Sequence, residues 1–356
     1  MTVVETFRRA RRCAILSRMK AIAQTQATTP GDITSLVDMD LPKPTPAGHD
    51  LLVRVEAISV NPVDTKVRQG RKPEETAPRV LGWDAAGVVE AIGPDVTAYE
   101  VGDEVYYAGD ITRPGSNSEF HLVDARIVGL KPSALSFAEA AAMPLTTITA
   151  WEALFDRLGV DRHNKAHRDR TLLIIGGAGG VGSIAIQLAK MADLTVIATA
   201  SRPETSEWVR GLGADHVVDH RKPLPAQLTA LGYPQVDYIA NFSNTDEYWV
   251  PMAEMIAPQG HIVSIVENSA PLDLNLLKSK SATFTWEFMF TRSMYQTPDM
   301  AKQGELLNEA AAYFESGELR TTLTDTLSPI NAENIRLAHT QLASGRTIGK
   351  LALFGW

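Results

Sequence analysis

Cysteine is almost missing from this chain of 356 residues: Cys13 is its one example. A disulfide framework within the chain is thereby excluded. No apolar run reaches the roughly 18 residues needed to cross a bilayer, so no membrane span is expected. Positive charge is also in short supply, with 34 Lys and Arg against 42 Asp and Glu and a net charge of −8. Without a basic footprint, binding to a nucleic-acid backbone is not expected as the main task. Glycine and proline follow no period, and no internal repeat or low-complexity tract is present.

What is present is the composition of an ordinary globular protein, 44% hydrophobic and 21% charged. The length exceeds what one hydrophobic core usually serves, so two domains are expected. Residues 1–18 differ from the rest: Arg8, Arg9, Arg11, Arg12 and Arg18 stand against the single acid Glu5. This stretch reads as a disordered extension or the product of an upstream start codon, with an Arg-rich transit peptide as the alternative. It lacks the apolar stretch and cleavage site of a secretory signal. The body begins at Met19, carries a charge of about −12, and fits a cytoplasmic protein.

From residue 50 to about 130 the runs are short and β-like, punctuated by Gly, Pro and Asp at the spacing of a compact all-β unit. Ser136 followed by Glu139 offers a helix N-cap, and a second helix is expected over 149–158. Strands at 172–175, 195–199, 217–218, 236–240 and 261–266 then alternate with helices at 183–191, 204–212, 224–231 and 247–256. The fold class is therefore α/β, a doubly wound parallel sheet of Rossmann type beside a mainly β domain. Helices near 300–314 and 332–342 and a strand at 350–354 close the chain.

The strongest local signal is Gly177-Ala178-Gly179-Gly180-Val181-Gly182, a G-x-G-x-x-G between an apolar strand and a helix. The first glycine permits the tight turn, the second lets backbone approach a pyrophosphate, and the third lets helix pack on strand. At the end of the second strand, where NAD binders place an acid, this chain reads Thr199-Ala200-Ser201-Arg202. A hydroxyl and a guanidinium suit a 2′-phosphate, so NADPH is the expected cofactor, against the reading of Arg202 as a solvated residue at the helix start.

With these motifs in view the chain resembles the medium-chain dehydrogenase/reductase superfamily, and within it the zinc-free, zeta-crystallin-like quinone oxidoreductases. The resemblance rests on Asn61-Pro62-Val63-Asp64-Thr65-Lys66-Val67-Arg68-Gln69-Gly70, Leu81-Gly82-Trp83-Asp84-Ala85-Ala86-Gly87, Gly102-Asp103-Glu104-Val105, Pro144-Leu145-Thr146-Thr147, the glycine turn and Gly349-Lys350-Leu351. It implies a GroES-like catalytic domain at 19–145, a Rossmann NADP-binding domain at 146–294, and a return to the catalytic domain at 295–356. Zinc-dependent relatives carry a cysteine near Asn61 and Gly-His-Glu where this chain has Gly82-Trp83-Asp84. They also hold a structural zinc on four cysteines, which a body without cysteine cannot supply. No metal is therefore expected. His163 with His167, and His216, Asp219 and His220, are the other possible ligand groups; the first pair reads as solvated surface, and the resemblance puts His220 near the adenosine.

The same resemblance places Asn61 and Asp64 at the cleft floor beside the nicotinamide, the alternatives being a turn opener and a helix cap. It places Thr147 near the nicotinamide ribose, and Asn244, Val266 and Thr285-Trp286-Glu287 against the cofactor. Arg346 and Lys350 would close over the cofactor, or pair with surface acids. Lys66 stands where quinone reductases commonly carry tyrosine, and could donate to a substrate carbonyl or a cofactor phosphate, or lie solvated. Trp286, Phe288, Met289 and Phe290 could wall the acceptor pocket, or belong to the core.

Without a metal, hydride transfer favours an acceptor that needs little polarisation, and a quinone meets that condition by becoming an aromatic hydroquinone. An NADPH-dependent quinone oxidoreductase is the first reading. The alternatives are an enal or enone reductase, with Tyr106 or Tyr107 supplying the proton, and a non-catalytic NADPH-binding or RNA-binding protein. The family also implies a homodimer joined through the strand near 282–285.

Overall fold

The run Leu172-Leu173-Ile174-Ile175 has no polar residue because the strand it forms, Thr171–Ile175, is buried on both faces. Leu172 and Ile174 join one core and Leu173 and Ile175 the other, the alternation that a strand requires. In the computed structural model, which describes residues 17–27, 33–162 and 170–356, this strand is central to a parallel sheet of six. The spatial order is His216–Val218, Thr195–Thr199, Thr171–Ile175, Val236–Asn241, Ile256–Ser264 and Thr283–Trp286. Chain order reverses between Thr171–Ile175 and Val236–Asn241, which opens a crevice at their carboxyl ends.

Helices Gly180–Met191, Pro203–Gly211, Leu224–Ala230 and Thr245–Met255 alternate with these strands. Each lies within a few residues of its sequence expectation. The helix expected at 149–158 instead runs Pro144–Trp151 and continues as a π-helical turn over Glu152–Arg157. Its proline occupies the first turn, where no backbone N–H is needed. Ser136 and Glu139 do form a capping box, ahead of the helix Phe137–Ala141.

The second sheet centres on Asp50–Ser59, which pairs antiparallel with Ala85–Ile92, Phe120–Asp124 and Lys350–Phe354. Its register matters for the site. Ser59 lies opposite Ala352, and Ile58 lies opposite Ala85. Asn61, Asp84 and Lys350 therefore emerge together at one end of the sheet. A strand the sequence reading missed, Leu323–Leu327, pairs parallel with Lys350–Phe354.

A parallel bridge from Gly179 to Gly349 ties the closing segment to the glycine turn. The first strand, Arg18–Gln24, opens one residue before Met19. The arginine-rich stretch through residue 16, with Cys13, and the pair His163 and His167 lie outside the described residues. Among the described residues no helix is long and apolar enough to cross a membrane.

Candidate active site

The glycine turn divides its tasks differently from the expectation. Gly176, with φ of 88°, makes the tight turn that Gly177 was expected to make. Gly177 is instead a packing residue, since a Cβ there would lie 2.9 Å from the Ala198 Cβ. Gly179 caps the helix Gly180–Met191, which leaves the first amides of that helix free for an anion. At Gly182 a Cβ would meet the Gly176 carbonyl oxygen at 2.3 Å, so no side chain fits.

Beside this turn a cavity of about 400 Å³ is lined by Ala178, Ser201, Arg202, His220, Arg346 and their neighbours. Arg202 opens the helix Pro203–Gly211; its Nη2 donates to the Arg346 carbonyl at 2.9 Å, and its Nε faces Glu204 at 3.2 Å. Arg221, which the sequence reading passed over, donates to the Ser201 carbonyl at 2.5 Å while paired with Asp219. That pairing holds the Asp219 carboxyl low, at about 2, and engages the acid that stands between His216 and His220 in the chain.

The other end of the cleft has a cavity of about 450 Å³. Its lining includes Val60, Asn61, Thr146, Gly180, Val181 and Lys350, together with Val266, Glu267, Glu287, Phe288, Met289 and Phe290. Gly180 must lack a side chain, because a Cβ would come 2.9 Å from Lys350 Cδ and 3.0 Å from Thr146 Cγ2. Lys350, expected to close over the cofactor or to pair with surface acids, lines this cavity. It is buried, and its Nζ donates to Asn61 Oδ1 at 2.6 Å, to the Val60 carbonyl at 2.9 Å and to Asp84 Oδ2 at 3.1 Å. Asp84 also accepts from Asn61 Nδ2 at 2.7 Å and from the Leu145 amide at 2.8 Å. Burial pushes the Asp84 carboxyl up, and the Lys350 ammonium and the Asn61 amide pull it back down.

These donors do not fit a zinc ion. Asn61 and Asp84 are engaged by the ammonium, and the Trp83 indole, buried and edge-on to Phe290, donates to the Asp110 carbonyl at 3.1 Å. Among the described residues no group of three His, Cys, Asp or Glu is placed to hold a metal.

Several expected site residues lie elsewhere. Asp64 is buried behind Asn61 and accepts the Asn61 amide at 2.8 Å, so it acts as a helix-capping acid; burial raises its carboxyl to about 7. Tyr106 is fully buried and donates to the Leu307 carbonyl at 2.6 Å, and burial pushes its phenol up, so it is no proton donor at the cleft. Tyr107 is likewise buried, stacked on His121. Asn244 caps the helix Thr245–Met255 by accepting from the Glu247 amide. Thr147 is fully buried, and its hydroxyl has no partner among the described residues; Thr146 and Thr149 line the cleft in its place. Trp286 sits on the edge strand, 42% exposed and edge-on to Phe284, outside both cavities.

Lys66 reaches across the cleft mouth to Glu267, with contacts of 2.8 and 2.9 Å. Glu287, which lines the cavity beside Phe288, Met289 and Phe290, belongs to a buried charge cluster with no signal in the sequence. Glu287 pairs with Arg157 at 2.8 Å, and Glu152 with Arg292 at 2.6 Å. Gln303 donates to Glu152 at 3.2 Å and to the Met289 carbonyl at 2.5 Å. Burial, and then the neighbouring Glu152 carboxylate, push the Glu287 carboxyl up to about 9.

Comparison with known proteins decides the family. Residues 47–152 match the alcohol dehydrogenase GroES-like domain, and residues 212–353 match the zinc-binding dehydrogenase family. A zinc-type alcohol dehydrogenase-like protein of Staphylococcus aureus is 49% identical over 311 residues, 87% of this chain and 92% of the relative. The chain belongs to the medium-chain dehydrogenase/reductase superfamily. Within that superfamily, a 2-methylene-furan-3-one reductase of Solanum lycopersicum is 30% identical over 85% of this chain and 71% of its own length. A quinone oxidoreductase structure from Coxiella burnetii superposes with a TM-score of 0.79 at 27% identity, covering 96% of this chain and all of that one. The chain is thus an NAD(P)-dependent oxidoreductase with a Rossmann sheet beside a GroES-like domain.

Proposed function

We propose that this protein is an NADPH-dependent reductase of quinones or similar flat carbonyl acceptors and works without zinc. The observation that carries the reading is the Lys350 ammonium, held by Val60, Asn61 and Asp84 at the floor of the cleft. It fills the space among the groups that correspond to the zinc ligands of metal-dependent relatives. A buried cation already engages them, and a second cation there would be repelled.

When bound, NADPH supplies a hydride, two electrons with one hydrogen. The acceptor takes it together with one proton from solvent. The amides at the start of Gly180–Met191 hold the pyrophosphate, and Ser201, Arg202 and Arg346 favour the 2′-phosphate. Val181, Leu342 and the Phe288-Met289-Phe290 wall present an apolar slot for a flat ring. The tomato relative's name favours a second reading, reduction of an enone double bond, which needs the same parts.

The test is a steady-state screen of NADPH oxidation with quinones, enals and aldehydes. Turnover with quinones supports the first reading and turnover with enals, reduced at the same kind of activated double bond, the second. No turnover with any acceptor supports a binding-only role. We also propose a homodimer through the edge strand Thr283–Trp286, where Trp286 is exposed; sedimentation as a monomer would remove that proposal.

A further inference from the structure

The hydrogen bonds at the cleft floor leave one group uncommitted. Lysine is a donor with no acceptor capacity, so the Asn61 atom 2.6 Å from Nζ is oxygen, and the amide orientation follows. All three N–H groups of Lys350 are taken, by Val60, Asn61 and Asp84, so the ammonium has none left to give a substrate. Asp84 is taken as well, Oδ1 by the Leu145 amide and Oδ2 by Asn61 and Lys350. Asn61 Nδ2 carries two hydrogens and spends one on Asp84. Its second finds no acceptor among the described residues, on a side chain that lines the cleft.

We propose that Lys350 and Asp84 form a positioning clamp that fixes the Asn61 amide, so that its second N–H polarises the acceptor carbonyl. The clamp grips the amide at both ends. A cation on the amide oxygen draws electron density from the nitrogen and strengthens the remaining N–H as a donor. Negative charge builds on the acceptor oxygen as hydride adds, and a pre-oriented donor there is stabilising at the moment it is needed. Asn61 touches the substrate; Lys350 and Asp84 act through it.

This inference rests on the carbonyl-reductase reading, and a double-mutant cycle separates the two. Asn61→Ala is expected to lower kcat about 100-fold. Lys350→Met should lower it by a similar factor while the NADPH Kd stays within about threefold. The double variant should be no slower than Asn61→Ala, because the clamp has no other route to the substrate. Lys350→Met leaves Asp84 buried without its cation, so the paired change Lys350→Met with Asp84→Asn serves if the single variant does not fold.

The readout independent of turnover is the carbonyl stretch of an enone bound with NADP⁺. It should lie below its solution frequency in the wild type and return towards it in Lys350→Met and in Asn61→Ala. Additive losses in the cycle, or a wild-type stretch at the solution frequency, would overturn the clamp. Absence of turnover by the wild type with every carbonyl acceptor would overturn the functional reading instead.

Discussion

At the end of the cleft beside Gly176, Ala178 and Gly179, most of the lining comes from short local runs, the glycine turn and then Ser201 and Arg202 at the end of the next strand, with Arg346 added from the closing segment. At the acceptor end the working groups come from separate parts of the chain, and Lys350 meets Asn61 across 289 positions. The first end offers backbone amides and partly exposed guanidinium groups, which water can also solvate. The second sets buried charges against each other, so every partner there is needed to offset the cost of burying the rest. Damage at the first end should change cofactor binding alone, and damage at the second should change acceptor chemistry and stability.

The largest effect is expected at the turn. Gly182→Ala puts a Cβ 2.3 Å from the Gly176 carbonyl oxygen, so the turn must open. NADPH affinity, measured by fluorescence titration, should weaken at least about 100-fold, or ~2.7 kcal/mol. A variant that still bound NADPH normally would show that the turn is not the pyrophosphate site. Next is Arg202→Ala, which removes a charge-assisted contact expected to be worth about 1.5–3 kcal/mol. The NADPH/NADH ratio of kcat/KM should fall roughly 10- to 150-fold with acceptor KM unchanged. An unchanged ratio would make Arg202 a surface residue paired with Glu204.

A smaller contrast tests the acceptor wall. Phe288 lines the cavity and Trp286 does not. Phe288→Ala should raise acceptor KM about five- to tenfold, and Trp286→Ala should leave it within about twofold. The reverse result would return the wall to the edge strand.

The buried Glu287 gives a pH signature. Its folded value, about 9, lies above the ordinary 4.5. Between those limits the unfolded chain releases a proton that the folded chain keeps, so this group's contribution to stability falls as pH rises from about 4.5 to about 9. In Glu287→Gln, the Tm should fall less over that interval than in the wild type. Parallel Tm profiles would mean that Glu287 is ionised in the folded state.

The same contrast accounts for what the sequence discloses. The glycine turn, the Rossmann alternation and the Arg202 position are local patterns, each readable from neighbouring residues. Asn61 and Lys350 stand out as motif residues, yet their pairing depends on the register of Asp50–Ser59 against Lys350–Phe354. Glu287 is named in sequence only as a cofactor neighbour by resemblance, and its meeting with Glu152 carries no local signal because it depends on tertiary packing. Tyr106 misleads for a related reason: Tyr106 and Tyr107 are both buried, so alternation along Glu104–Tyr107 offers no clue to which face is wet. Trp286 misleads because a large aromatic on an edge strand looks, in sequence, like one that walls a pocket.

The zinc content of the purified protein, measured with its activity before and after chelation, bears most directly on the idea that Lys350 takes the metal's place. Far less than one zinc per subunit and unchanged NADPH oxidation are expected. About one tightly held zinc per subunit, with turnover lost on its removal and restored on its return, would contradict it.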